Sequence, residues 1–247
     1  MVASDSKSLN DLQCTVVYED DAIVAINKPS LLHSVQLGGS DSASVADWLL
    51  ARYPILEKVG DKPGDAGLIQ RLDFETSGIM VAALTKSAWA NLKDQMEHST
   101  INKSYLILVE GQPTQEFVMN TWIGSRYRGS KKVTVYDTSH KRTLPAKTSF
   151  RLLKYFAENN CALIQARASA ARRHQVRAHA AHAGFPLIGD KLYGAKSALS
   201  NCIDDSVPDL PPFFLHARDI QLTHPSAKSP IKLEAPAPAW AKILLNT

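Results

Sequence analysis

Cysteine is scarce in this chain. Cys14, Cys161 and Cys202 lie far apart, are odd in number and form no CxxC pair. A disulfide framework is therefore excluded, a structural zinc site is disfavoured, and reduced thiols in a cytoplasmic protein are expected. Glycine and proline are not enriched, so long disorder is not expected away from the ends. No uninterrupted apolar run is long enough to span a bilayer, and Met1–Lys7 has no apolar segment of the signal-peptide kind. The expectation is a soluble, cytoplasmic chain without a membrane partner. No Walker loop, GxGxxG or GxSxG is present, which argues against nucleotide hydrolysis, dinucleotide redox chemistry and hydrolases with a nucleophile elbow.

What is present is a large apolar fraction. Of 247 residues, 45% are hydrophobic, enough for a core in one large domain or two closely joined ones. The net charge of +4 allows a polyanionic partner without requiring one. Local density is more telling. Arg126, Arg128, Lys131, Lys132, Lys141, Arg142, Lys147, Arg151 and Lys154 face a single acid in that span, Asp137. Such a run is ordinarily a solvated face, but its shortage of acids favours a surface that tracks phosphates.

Residues 1–12 are polar and serine-rich and are expected to form a loose tail ahead of one folded domain over 13–247. Strands are expected at 15–18 and 22–27, the second stopped by Pro29. A helix fits 43–53, with Val45, Trp48 and Leu49 on one face, and a polar loop covers 57–67. The run Ile79–Leu84 reads as a strand starting on a Thr76-Ser77-Gly78 turn, and Thr85 can cap a helix carrying Trp89, Leu92 and Met96. Further strands are expected at 103–111, 132–136, 147–153, 162–166, 220–222 and 231–234. A helix is expected at 173–183, ended by Gly184 and Pro186, a proline-rich loop at 207–212 and a short helix at the end. Without regular βαβ alternation, the pattern is α+β: a mixed, largely antiparallel sheet flanked by helices.

Two stretches could carry chemistry. Arg71-Leu72-Asp73 places a carboxylate on a loop just ahead of a rigid strand, a common way of presenting an acid to a substrate. By itself it could equally be a surface ion pair between Arg71 and Asp73. Arg172-Arg173-His174-Gln175-Val176-Arg177 opens a helix, where Arg173 and Arg177 would repel at i, i+4 unless a carboxylate or phosphate lies opposite. The bland alternative is a charged, solvated helix face. His179 and His182 have ligand spacing, yet no acidic cluster accompanies them, so hydrogen-bonding histidines are expected in place of a metal site. Asp73 with Glu75 could suggest a two-carboxylate glycosidase, but nothing marks either as proton donor. Tyr105 reads as a half-buried aromatic which, beside nucleic acid, could stack on a base.

In this order the pieces resemble the RluA family of pseudouridine synthases. The matching stretches are Tyr18–Asp21 through Asn27–Ser30, Arg71–Asp73 with Thr76–Gly78, and Lys103–Tyr105 through Val109–Gly111. Arg172–Arg177 through Gly189–Gly194, and Leu215–Ala217 with Thr223–Pro225, complete the set. The resemblance implies the pseudouridine synthase fold with a central RNA-binding cleft, and isomerisation of uridine in structured RNA, large-subunit ribosomal RNA or tRNA, without a cofactor. It implies a nucleophilic aspartate at Asp73, a tyrosine packing against the target base at Tyr105 and a basic residue paired with the aspartate at Arg177. Arg71 would hold the RNA once the uridine is flipped out, and Arg172, Arg173, His174 and Gln175 would contact substrate. A monomer without an N-terminal RNA-binding module is expected. The chain departs from the family at three places: Gln70 where it has His, Leu31 where it has Gly, and Ala170-Ala171 where it has Thr-Gly. They leave an inactive RNA-binding paralogue as the first rival, and the second is an unrelated glycoside or nucleoside hydrolase using Asp73 and Glu75.

Overall fold

The computed structural model describes residues 12–36, 42–62, 64–127, 129–169, 171–197, 203, 207 and 210–246. In chain order the elements are β1 (Thr15–Glu19), β2 (Ile23–Lys28), α1 (Val45–Arg52), β3 (Ser77–Ala83), α2 (Lys86–Glu97), β4 (Asn102–Glu110) and β5 (Glu116–Ser125). They continue as β6 (Val133–Tyr136), β7 (Leu144–Phe156), β8 (Cys161–Ala168), α3 (Gln175–His182), β9 (Leu215–Thr223), β10 (Pro230–Glu234) and α4 (Ala239–Asn246). The chain divides into two compact units, Met1–Ile101 with Asp219–Pro236, and Asn102–Arg218 with Ala237–Thr247. The expected tail falls almost wholly outside the described residues, as do Cys202, Arg128, Ala170 and part of the 207–212 loop.

In the first unit β1, β2 and β3 form an antiparallel ladder, and the end of β9 pairs with β10. The interior residues of β2 and β3 are buried almost without interruption, so their unbroken Ile/Val/Ala runs mark strands covered on both faces. The first helix begins at a capping box: the Asp47 amide donates to Ser44 Oγ at 3.3 Å, and the Ser44 amide donates to Asp47 Oδ2 at 2.8 Å. Thr85 caps α2 as expected, its Oγ1 accepting from the Ala88 amide at 3.1 Å. The strand expected to follow a Thr-Ser-Gly turn instead starts at Ser77. The reversal lies earlier, where the Thr76 amide donates to the Asp73 carbonyl at 3.1 Å, and Gly78 is already paired opposite Lys28.

In the second unit antiparallel pairing runs β4–β8–β7–β5–β6. One face packs Leu106, Leu108, Cys161 and Leu163 against Ile188, Phe214 and the α4 residues Trp240 and Leu244. The opposite face carries Tyr105, Ala166 and Phe150, aligned across β4, β8 and β7. Strand β5 was not among the sequence expectations, and β7 is longer than the 147–153 segment expected. Both units are α+β with antiparallel ladders, as expected. Among the described residues no helix is long and apolar enough to cross a membrane.

Candidate active-site elements

Asp73 lies on a loop of the first unit that is tied down from below. Lys28, at the end of β2, is fully buried, and its ammonium donates to the carbonyls of Pro29 (2.9 Å), Leu32 (2.7 Å) and Phe74 (3.2 Å). The Leu32 amide donates to the same Phe74 carbonyl at 3.2 Å. Ser34 grips the other side of Asp73: its Oγ donates to the Leu72 carbonyl at 2.8 Å and accepts from the Leu72 amide at 3.0 Å. The rings of Phe74 and His33 lie 4.5 Å apart. The backbone on both sides of Asp73 is therefore fixed while the carboxylate stays partly accessible. Arg71 is exposed, and among the described residues no ion pair holds it, so the ornamental Arg71–Asp73 pair is not the arrangement found.

Burial pushes the Lys28 ammonium down to about 7, while Cys14, Asp73 and Glu75 partly offset this by favouring its charge. Nearby, Leu31 has φ +59°, the left-handed conformation that glycine accepts without strain, and it stands where the resembled family has glycine. The departure is thus accommodated at a conformational cost, within the same turn that Lys28 closes. Gln70 donates weakly to the Ile79 carbonyl at 3.4 Å and points its buried Oε1 at no partner among the described residues.

The first unit also joins two of the sequence stretches. His224 Nε2 lies 2.7 Å from Asp20 Oδ2, and Asp20 also accepts from the Tyr18 hydroxyl and the Ala22 and Ile23 amides. Burial would raise the Asp20 carboxyl, but these donors outweigh it and hold the group down at about 2.

In the second unit the arginine stretch enters α3 differently from expectation. The helix begins at Gln175, preceded by His174 in the left-handed region with φ +54°. Arg173 therefore precedes the helix, and the expected i, i+4 repulsion with Arg177 does not arise there. Arg173 Nη2 instead donates to the Ser130 and Lys131 carbonyls at 2.9 and 2.5 Å. Arg177 is only 4% exposed, which removes the solvated-face reading. Its Nε and Nη2 donate to the two Asp190 oxygens at 2.7 and 2.8 Å, and the guanidinium lies over the rings of Phe213 and Tyr193. The anion demanded by a buried arginine is therefore supplied, at least in part, by the Gly189–Gly194 stretch. Those two stretches belong together because one supplies the guanidinium and the other the carboxylate.

Gln175 fastens the start of α3. Its Nε2 donates to the Lys147 carbonyl and to Thr148 Oγ1, both at 3.0 Å, and its Oε1 accepts from the Arg172 amide. His179 sits between the Thr121 and Thr148 hydroxyls, and burial pushes its ring down to about 4, so it is a neutral hydrogen-bonding histidine. His174 Nδ1 meets the Tyr193 hydroxyl at 3.0 Å, and Arg172 is exposed. Tyr105 and Lys103 share one face of β4, and burial together with the Arg172 charge pushes the Lys103 ammonium down to about 8.

The family model described as RNA pseudouridylate synthase matches residues 22–182. The chain belongs to that family. It is an isomerase of the RNA-modifying kind. A ribosomal large subunit pseudouridine synthase D of Xanthomonas campestris pv. campestris is 32% identical over 240 residues, covering 96% of this chain and 70% of that one. The protein of the same name from Pseudomonas aeruginosa is 29% identical over 243 residues, covering 96% and 73%. Among solved structures, human RNA pseudouridylate synthase domain containing 4 superposes with a TM-score of 0.70 at 22% identity, covering 94% of this chain and 92% of that one, a likeness of fold.

The family match encloses Lys28, Asp73, Tyr105 and Arg177. Three participants were not singled out from sequence for what they do: Lys28 as the loop clamp, Asp190 as the Arg177 partner and His224 as the Asp20 partner. For Lys28 the available signal was a lysine directly after an apolar strand and before proline, a place where a solvated lysine is unusual.

Proposed function

We propose that the chain converts uridine to pseudouridine in structured RNA, with large-subunit ribosomal RNA as first candidate and tRNA as second. The ribosomal preference is supported by the names of its relatives. Asp73 is the proposed nucleophile. The observation carrying this assignment is the clamp around it, with Leu72 held by Ser34 and Phe74 held by Lys28 and Leu32. A nucleophile that attacks without a cofactor depends on fixed position, since orientation alone can supply several kcal/mol of rate enhancement.

The reaction breaks the N1–C1′ bond, forms a C5–C1′ bond, releases the C5 proton and places a proton on N1, with no redox change. Asp73 adds covalently to C1′ or C6 and is expelled when the new bond is complete. Tyr105 packs against the displaced uracil and Arg177 is the basic partner of the nucleophile. Arg71 holds the RNA after the uridine leaves its stack, a step costing about a few kcal/mol. Arg172, Arg173, His174 and Gln175 form the approach to the phosphates, with Gln175 acting through the backbone it secures.

The test is Asp73→Asn, assayed by pseudouridine mapping in RNA from cells lacking the gene. Isomerisation should vanish while the variant still folds and binds RNA. Full activity of Asp73→Asn would remove Asp73 from the chemistry. Release of free uracil by the unmodified protein would favour a hydrolase.

A further inference from the structure

The basic run between Arg126 and Lys154 is largely unused by this chemistry, and β7 sorts part of it onto two faces. Alternate residues of a strand point to opposite sides. Thr148 faces α3, where its hydroxyl meets Gln175 and His179, and Phe150 aligns with Ala166 and Tyr105. Lys147, Ser149 and Arg151 consequently face the other way. On that reverse face Arg151 stands between Gln165 of β8 and Glu116 of β5, and Ser149 between Arg167 and Val118. These residues line a depression of about 220 Å³. The rest of that face lies under α4, which packs on Leu106, Leu108 and Leu163.

Arg151 and Arg167 are exposed, and among the described residues neither guanidinium has a hydrogen-bond or ion-pair partner. They are diagonal neighbours on adjacent strands, roughly 7 Å apart, so they repel each other unless an anion lies between them. Glu116, directly opposite Arg151 in the register, is the only acid among the lining residues, one carboxylate against two guanidiniums. Forked guanidinium donors match phosphate oxygens in geometry as well as charge. Size narrows the ligand further. Pockets for small organic ligands run from about 300 Å³ upward, so this depression takes a phosphate group and little else. Lys147, Ser149 and Arg151 repeat along β7 at about 7 Å, a polar row of about 14 Å, which favours an extended polyanion over a single ion.

We infer that the reverse face of the second unit's sheet, built from Lys147, Arg151 and Arg167, binds the phosphate backbone of an RNA strand. It would be a contact separate from the Tyr105 face, reached by RNA that extends past the target nucleotide. This rests on RNA being the enzyme's substrate, as proposed above.

The test pairs Arg151→Gln with Arg167→Gln in the full chain. Binding of a fluorescent RNA hairpin is measured by anisotropy over a salt series, with Lys242→Gln, an exposed cation of α4, as the charge control. Each lost phosphate contact should reduce the slope of log affinity against log salt by about 0.7–0.9, so the double variant should lose about 1–2 from the slope. Lys242→Gln should leave the slope unchanged, and on a long RNA the double variant should raise KM while kcat holds. An unchanged slope in the double variant would overturn the inference, and so would an equal loss in Lys242→Gln. Inorganic phosphate and UMP form a second arm: if either binds through these arginines while the RNA slope stays constant, the site takes a free anion and the inference falls. Absence of pseudouridine formation by the unmodified protein would defeat the proposed activity but leave the slope measurement readable.

Discussion

Replacing Lys28 with methionine keeps the length and bulk of the side chain and removes one buried ammonium. Burial pushes that group down to about 7, whereas an unfolded lysine titrates near about 10.4. Between those values the unfolded chain binds the proton and the folded chain gives it up. Stability contributed by this site is thus fully present at high pH and is lost as pH falls toward 7. Each pH unit within the window changes stability by about 1.4 kcal/mol, less near its lower end, so the unmodified protein should gain about 2 kcal/mol between roughly pH 7 and pH 8.5. Cys14, whose thiol burial pushes up to about 11 against the lowering effect of the Lys28 charge, stays protonated in the folded protein across this window.

The methionine variant should lack that gain. Its absolute stability at neutral pH is a poorer readout, because two large effects oppose. The ionic burial cost disappears, and the carbonyls of Pro29 and Leu32 lose the ammonium donor at about 1–3 kcal/mol for each buried group, while the Phe74 carbonyl keeps the Leu32 amide. Urea unfolding at the two pH values, followed by fluorescence of the tryptophans, measures the difference directly. An equal pH gain in both proteins would refute the reasoning, since the ammonium could not then be the titrating group. Turnover supplies the second reading. A loop shift of about 1 Å costs on the order of 100-fold, and the variant should lose activity in that range.

Asp190→Asn should destabilise the second unit by about 3–5 kcal/mol in urea unfolding, because the buried Arg177 guanidinium loses a charged partner. Leu31→Gly should raise the melting temperature by about 2 °C: relief of about 1–2 kcal/mol of left-handed strain exceeds the entropy cost of glycine, about 0.5–1 kcal/mol. The Asp20 carboxyl, held at about 2, contributes stability that is complete above about pH 4 and lost as pH falls to about 2. Acid unfolding of Asp20→Asn should lack that component, about 2 kcal/mol in size, and an identical acid midpoint would dismiss it.

Elements with dense local signals were readable from the chain alone. The apolar run of β4, the Thr85 cap of α2 and the α4 helix stand where they were expected. Strand β5 was missed although Phe117, Met119, Thr121 and Ile123 alternate with more exposed neighbours, because Glu116, Asn120 and Gly124 dilute its apolar content. The α3 start was placed early because the arginines continue a helical pattern that the left-handed His174 interrupts, and a single backbone dihedral leaves little trace in composition. The acid loop and the arginine stretch could be marked as chemistry-bearing by residue type. Their supports could not. Lys28 reaches Phe74 across 46 positions and His224 reaches Asp20 across 204, and neither contact follows from local spacing.

The first unit is assembled from two stretches of chain separated by most of the second, since Asp219–Pro236 belongs with Met1–Ile101. A ribosome emits about 5–20 residues per second, so the early strands wait roughly ten seconds for β10 and for the histidine that latches Asp20. During that interval the apolar strand β3 exists without β9, its late neighbour in the sheet, and its edge is open to mispairing. The Asp20–His224 contact thus acts as the clasp of a loop threaded last. A premature stop anywhere before residue 219 would leave the Asp73 loop present but its unit unfinished. Slowing translation over 102–218 should lower the soluble yield more than slowing it afterwards.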